Sequence, residues 1–290
     1  MGDRFTSWLL FSLLSIIWGS SFILMKIGLQ ALGPYQVATI RILSAGLALL
    51  PFALKARKQV PKEKLGYIIL SGVMGSFFPA YLFCIAETRI DSSITAIINS
   101  LTPLLTITIG AVFFKVRASV QKIAGVVIGF TGLCLLPFAA EKGINLTDIS
   151  YAVFIFLATL LYGINVNMVS RHLKQLGALQ TASLSFVFLI IPCTVILLST
   201  GYATFSFSDK HVIHSTIAAS VLGVLGTALA SVLFYMLVKK AGAVFGSMVT
   251  YGIPFVAVIW GLLYRERISL LQVGCLAIIL AGVYFANRQH

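Results

Sequence analysis

The chain has 290 residues, 59% of them hydrophobic and only 10% charged, with a formal net charge of +13. Soluble globular domains carry about 45–50% apolar and about 25% charged residues, so the bulk of this chain is neither a water-soluble enzyme nor a soluble binding module. A mean hydropathy of +1.01 points instead to a polytopic membrane protein.

About 20 apolar residues cross the roughly 30 Å of hydrocarbon as a helix. Runs of that kind fall at 7–28, 34–54, 65–87, 92–114, 119–139, 149–171, 178–199, 214–238, 243–264 and 269–287. The expected fold is an all-α integral membrane protein of ten transmembrane helices. The first run has no small-residue cleavage site before the second begins, so it reads as a retained helix rather than a signal peptide. One of its faces carries Ser12, Ser15, Gly19, Phe22 and Lys26, with Trp18 at mid-helix. Aromatic rings beside small residues suit a pocket for an organic solute, and they suit tight packing or an interfacial belt as well.

The second run holds Arg41 about 10 Å inside its outer end, at 1.5 Å per residue. Such a charge binds a solute carboxylate or phosphate, or pairs with Glu87 or Glu266, and both readings stand. Tyr81 in the third run and Tyr235 in the eighth are further pocket candidates. In the fourth run Ser92, Thr95, Asn99, Thr102 and Thr106 step by three and four, so a helix gathers them into one polar stripe. Pro103 frees a backbone carbonyl one turn earlier, which lipid cannot satisfy. The stripe therefore faces either a polar cavity or a neighbouring helix bound through hydrogen bonds. The sixth run answers the first with Tyr162 and Gly163, followed by Asn165 and Asn167, and the ninth answers the fourth with Thr250, Tyr251 and Pro254. Gly125 with Gly129, and Gly242 with Gly246, read as close helix contacts.

All eight acidic residues fall in loops or near helix ends, which leaves no midplane carboxylate for proton antiport. Cys84, Cys134, Cys193 and Cys275 each sit in an apolar run outside any metal-like spacing, and His211 with His214 lack a third ligand nearby, so no cofactor or metal is expected. Asn145-Leu-Thr147 is a glycosylation sequon in a loop.

The basic residues report topology rather than nucleic acid. With the N-terminus cytoplasmic, the clusters at Lys55 to Lys64, at Lys115, Arg117 and Lys122, and at Lys239-Lys240 fall inside. Arg89, Lys142, Lys210, Arg265 and Arg267 fall outside, for an overall two-to-one excess inside. That asymmetry puts both termini in the cytoplasm of a multi-pass protein of the cell membrane, in contact with anionic lipid.

The halves also repeat. A shift of 144 lays Leu13, Gly19, Gly33, Gln36 and Ala38 on Leu157, Gly163, Gly177, Gln180 and Ala182, with Trp18 on Tyr162. A shift of 151 lays Leu82, Phe83, Pro103, Gly110 and Gln121 on Leu233, Phe234, Pro254, Gly261 and Gln272. Residues 1–144 and 145–290 are thus two five-helix units, and an odd helix number inverts the second relative to the first. Inverted repeats are a hallmark of secondary transporters, with the solute held near the midplane between them.

The run Ile17-Trp-Gly-Ser-Ser-Phe-Ile-Leu-Met-Lys26, then Pro34 and Arg41, and the closing Pro254, Glu266, Gly274 and Ala281-Gly282 resemble the EamA-type transporters of the drug/metabolite transporter superfamily over nearly the whole chain. The resemblance implies two inverted repeats around a shared cavity and export of small metabolites, amino acids among them, by alternating access. Trp18, Gly19, Arg41, Pro103, Pro254 and Glu266 match the family pattern. Lys115 departs from it, because members often carry an acid there. The first helix also lacks the glutamate of the small multidrug resistance branch.

A metabolite exporter is therefore expected, with Trp18, Tyr162 and Tyr251 as aromatic surface, Asn99, Thr102, Asn165 and Thr250 as hydrogen-bonding groups, and Pro103 and Pro254 as bends. A non-transporting sensor or assembly partner is the alternative, since fold alone does not prove activity. A membrane enzyme on lipid-linked substrates would need a gathered acid–base or metal set, and the acids and histidines here are scattered.

Overall fold

The computed structural model describes residues 2–90, 95, 98–135, 138, 149–206, 208–256, 259 and 269–287. Ser92 of the predicted stripe, the Asn145-Leu-Thr147 sequon and Glu266 lie outside them. Among the described residues all regular structure is helical. Hydrocarbon explains this, because a spanning segment has to satisfy its own backbone donors and acceptors.

In chain order the helices are α1 (Gly2–Gly28), α2 (Pro34–Ala56), α3 (Lys62–Ala86), α4 (Thr102–Phe114), α5 (Val120–Leu135), α6 (Ala152–His172), α7 (Ala178–Ser199), α8 (Lys210–Ala241), α9 (Ala243–Val256) and α10 (Leu270–Asn287). Among the described residues, six of them (α1, α2, α3, α6, α7 and α8) are long and apolar enough to cross a membrane, and shorter apolar stretches form α4, α5, α9 and α10. Each predicted run thus contains helix.

Two long helices are not uniform. A π segment interrupts α3 at Val73–Phe77 and α8 at Leu222–Leu229, positions that coincide under the 151-residue shift. A 3-10 stretch, Met248–Gly252, precedes Pro254 in α9.

Equivalent helices pack on each other: α2 against α7, and α5 against α10. Their directions follow from three glutamines. Gln36, in the first turn of α2, donates to the Thr200 carbonyl just past α7 at 2.9 Å, and Gln180, in the first turn of α7, donates to Gln59 just past α2 at 2.7 Å. Gln121 at the start of α5 reaches the Phe285 carbonyl near the end of α10 at 2.9 Å. Both pairs therefore run antiparallel, and the second half is an inverted copy of the first.

The same relation holds in the backbone contacts. A Cβ on Gly72 of α3 would stand 2.5 Å from the Ser185 carbonyl of α7, and one on Gly223 of α8 would stand 2.4 Å from the Arg41 carbonyl of α2. Glycine at both places lets the helix axes approach. Gly125 and Gly129 behave as expected, packing α5 closely against Gly282 of α10. Gly242 does not: it has open space beside it and a φ of +88°, because the reversal from α8 to α9 is too tight for any but left-handed backbone there.

Candidate functional site

A cavity of about 110 Å³ lies between the halves. One water needs roughly 10–15 Å³ of such space, so several waters or a compact solute fit.

One wall comes from α1 and its packing partner α8. The indole of Trp18 donates to the Gly226 carbonyl in the π segment at 3.1 Å and meets the Phe234 ring at 5.3 Å. The opposite wall repeats the arrangement upside down, with Tyr162 of α6 meeting Phe83 of α3 at 6.0 Å. These four rings are equivalent in pairs, Trp18 with Tyr162 and Phe83 with Phe234.

The π segments bring backbone to the cavity edge. A Cβ on Gly226 would stand 2.7 Å from the Ser21 hydroxyl of α1, and one on Gly75 would stand 2.2 Å from the Asn165 amide of α6. Ser21 and Asn165 are again equivalent under the 144-residue shift. π turns recur at functional positions because they aim side chains that a regular helix would turn away.

Arg41 enters from α2, its Nε donating to the Thr227 hydroxyl at 2.6 Å. Among the described lining residues it is the charged one, and no carboxylate joins it there. Asn165 is 3% exposed, and its Oδ1 has no hydrogen-bond partner in the protein. A buried acceptor left without a partner costs about 1–3 kcal/mol, so a donor from a guest would be favoured there.

Two members of the polar stripe reach the cavity. Asn99 and Thr102 face the cavity. One turn on, the Thr106 backbone carbonyl accepts from Asn167 of α6 at 2.8 Å, while the Thr106 hydroxyl is buried without a hydrogen-bond partner. The carbonyl freed by Pro103 belongs to Asn99, and the Thr102 hydroxyl takes it at 2.5 Å. In α9 Thr250 lines the cavity and donates to the Ser247 carbonyl at 3.1 Å.

Of the residues singled out in the sequence, the structure brings Trp18, Phe22, Arg41, Asn99, Thr102, Tyr162, Asn165, Tyr235 and Thr250 to the cavity. It does not bring six others there. Ser15 bonds the Phe11 carbonyl at 2.8 Å and packs on Gly252. Gly19 lies against Val256 of α9. Tyr81 shares a 2.7 Å bond with Thr39, and Tyr251 donates to the Val126 carbonyl at 2.9 Å, so each hydroxyl is used in packing. Pro103 and Pro254 each sit one residue beyond a cavity residue, Thr102 and Ile253.

Missed from the sequence were Ser21, Gly75, Ser76, Phe83, Gly226 and Thr227. The signal existed, since the shift of 151 lays Gly75-Ser76 on Gly226-Thr227.

The sequence model of the EamA-like transporter family matches residues 6–138 and again 149–288. The uncharacterized inner membrane transporter YedA of Escherichia coli K12 is 24% identical, over 93% of this chain and 87% of its own length. A probable amino-acid metabolite efflux pump of Salmonella typhimurium is 27% identical over 45% of this chain and 42% of its own. One solved crystal structure superposes with a TM-score of 0.72 at 15% identity, covering 97% of this chain and 96% of that one, which is a likeness of fold.

Proposed function

From the premise that the chain belongs to the EamA-like transporter family, we propose that it exports small organic metabolites, amino acids or related compounds, by alternating access around the central cavity. The observation that carries this is the cavity itself, lined by equivalent residues of two inverted halves. In such a fold the two access states are related by the pseudo-two-fold axis between the repeats and are exchanged by rocking residues 1–144 against 145–290 around a fixed site.

Trp18 and Tyr162 are read as the aromatic surfaces that hold the solute body, with Phe22 and Tyr235 beside them. Arg41 meets its acidic end. Asn99, Thr102, Asn165 and Thr250 supply hydrogen bonds. Ser15, Gly19, Tyr81 and Tyr251 frame the cavity through packing, while Pro103 and Pro254 mark the bends at which α4 and α9 flex. The two-to-one excess of Lys and Arg supports a cytoplasmic location for both termini. YedA's description as an inner membrane transporter supports the cell membrane as the location, and the efflux-pump relative supports amino acids as the first solutes to try.

The test is counterflow in proteoliposomes preloaded with single amino acids, organic acids or nucleosides. Saturable uptake for one class, competed by its members and reduced at least tenfold in Asn99→Leu and Trp18→Ala, is expected. Non-saturable leak, or uptake untouched by both variants, would remove the cavity from the pathway.

A further inference from the structure

A second recess, of about 480 Å³, opens on the face of the molecule that holds the start of α1. The face is fixed by Trp8 of α1, whose ring lies 5.5 Å from that of Phe245 in α9, next to recess residue Val244. The link from α4 to α5 forms one side, the end of α6 another, and the turn from α8 to α9 the third. Four cations line it, Lys115, Arg117, Lys122 and Arg171, and among the described lining residues there is no carboxylate.

The charge asymmetry of membrane proteins accounts for basic residues on this face. It does not account for their gathering round a concavity, where like charges repel and no carboxylate among the described lining residues offsets them. Two details of the backbone strengthen the point. Lys115 ends α4 in the left-handed region, φ +54°, a place that glycine or asparagine commonly takes, yet the chain keeps lysine there. Arg171 is held in place by donating to the Phe114 carbonyl at the same helix end. The equivalents of Lys115, Arg117 and Lys122 in the second half are Glu266, Ile268 and Val273, so none of these three cations is a product of the repeat.

We propose that this recess is a binding site for a phosphate-type oxyanion, the headgroup phosphate of an anionic phospholipid being the source that the surroundings favour. The Arg171 fork and the lysine ammoniums match such a group in charge and in donors. Phe113 and Val120, on either side of the link, are 76% and 82% exposed, as lipid-facing side chains are. The recess thus opens beside acyl chains, at the level where headgroups lie, and basic hollows between helices commonly take such groups. The proposal is independent of which solute occupies the central cavity.

The experiment uses the full-length protein, wild type against the double variant Lys115→Gln/Lys122→Gln, with Lys55→Gln/Lys58→Gln as a control pair removing the same charge from the same face outside the recess. Native mass spectrometry after exchange from mixed phosphatidylglycerol and phosphatidylcholine nanodiscs reads retained lipid. A parallel thermal-shift titration with inorganic phosphate, in detergent free of lipid, reads the bare anion. Selective retention of phosphatidylglycerol, reduced at least tenfold by the recess pair and unchanged by the control pair, establishes a headgroup site. Saturable stabilisation by phosphate without lipid selectivity, lost in the recess pair alone, establishes the same site for a soluble phosphate. Equal losses in both pairs, or no binding in either arm, overturn the proposal. Arg117→Gln alone serves the same comparison if the double variant does not fold.

Discussion

Around the cavity the first half presents Trp18, Ser21 and Phe22 from α1, and the second half presents Tyr162, Asn165 and Val166 from α6. Behind them stand the same π turns and glycines at matching positions, in α3 and α8. Backbone devices repeat, whereas side-chain chemistry does not: Arg41 is equivalent to Ser185, and Thr102 to Ile253. Within the proposed mechanism the division makes sense. Exchange between two access states asks for equivalent joints, while an organic solute without two-fold symmetry asks for unlike walls.

The largest effects are expected where the backbone is shared. Gly72→Val and Gly223→Val each place a Cβ within 2.5 Å of a carbonyl oxygen on the neighbouring helix, so each should lower stability by about 1–3 kcal/mol or more. Their melting temperatures in detergent should fall together, and a large drop in one only would break the equivalence of the halves. Next comes the charge. Arg41→Gln should cut solute flux at least tenfold, roughly 1.4 kcal/mol, whereas Ser185→Ala, which loses a 2.9 Å bond to the Ile68 carbonyl, should lower stability by about 1 kcal/mol and leave flux per folded molecule unchanged.

Asn165→Leu sharpens the comparison further, because its stability and transport effects should diverge. The substitution removes a buried acceptor that the protein leaves unpartnered, which offsets the loss of the side chain's bond to the Tyr235 hydroxyl, so the melting temperature should change little, while flux falls several-fold. A parallel loss of both would mean that Asn165 serves packing. A smaller effect is expected for Trp18→Phe, which forfeits the indole bond to Gly226 at about 0.5–1.5 kcal/mol but keeps an aromatic wall. Tyr162→Phe, whose contact with Phe83 is made through the ring, should change stability less.

The helices and the inversion were legible because both rest on coarse properties, the length of an apolar run and the coincidence of residues at a fixed shift. Trp18, Asn99 and Arg41 were legible because polar or bulky groups inside hydrocarbon need a reason. Tyr81 and Tyr251 were harder to place, since a helix apolar on every side gives no period to say which way a ring turns, and only their bonds to Thr39 and Val126 settle it. The π turns at Val73–Phe77 and Leu222–Leu229 left no compositional mark, being a change of hydrogen-bond register rather than of residue type. For the stripe of α4, sequence offered two alternatives, and the structure turns Asn99 and Thr102 to the cavity while the bond to α6 is made by the Thr106 backbone carbonyl rather than by its hydroxyl.

The glutamine latches bear on how the chain is made. Gln36 finds its acceptor at Thr200, 164 residues later, and Gln121 finds its own at Phe285, again 164 residues on. At about 5–20 residues per second of synthesis, α2 stands in the bilayer for on the order of ten to thirty seconds before its antiparallel partner emerges. During that interval the close-approach surface around Gly46 on α2, which later meets Phe186 and Ile190 of α7, stands without that partner. The nascent first half is therefore a waiting template for the second.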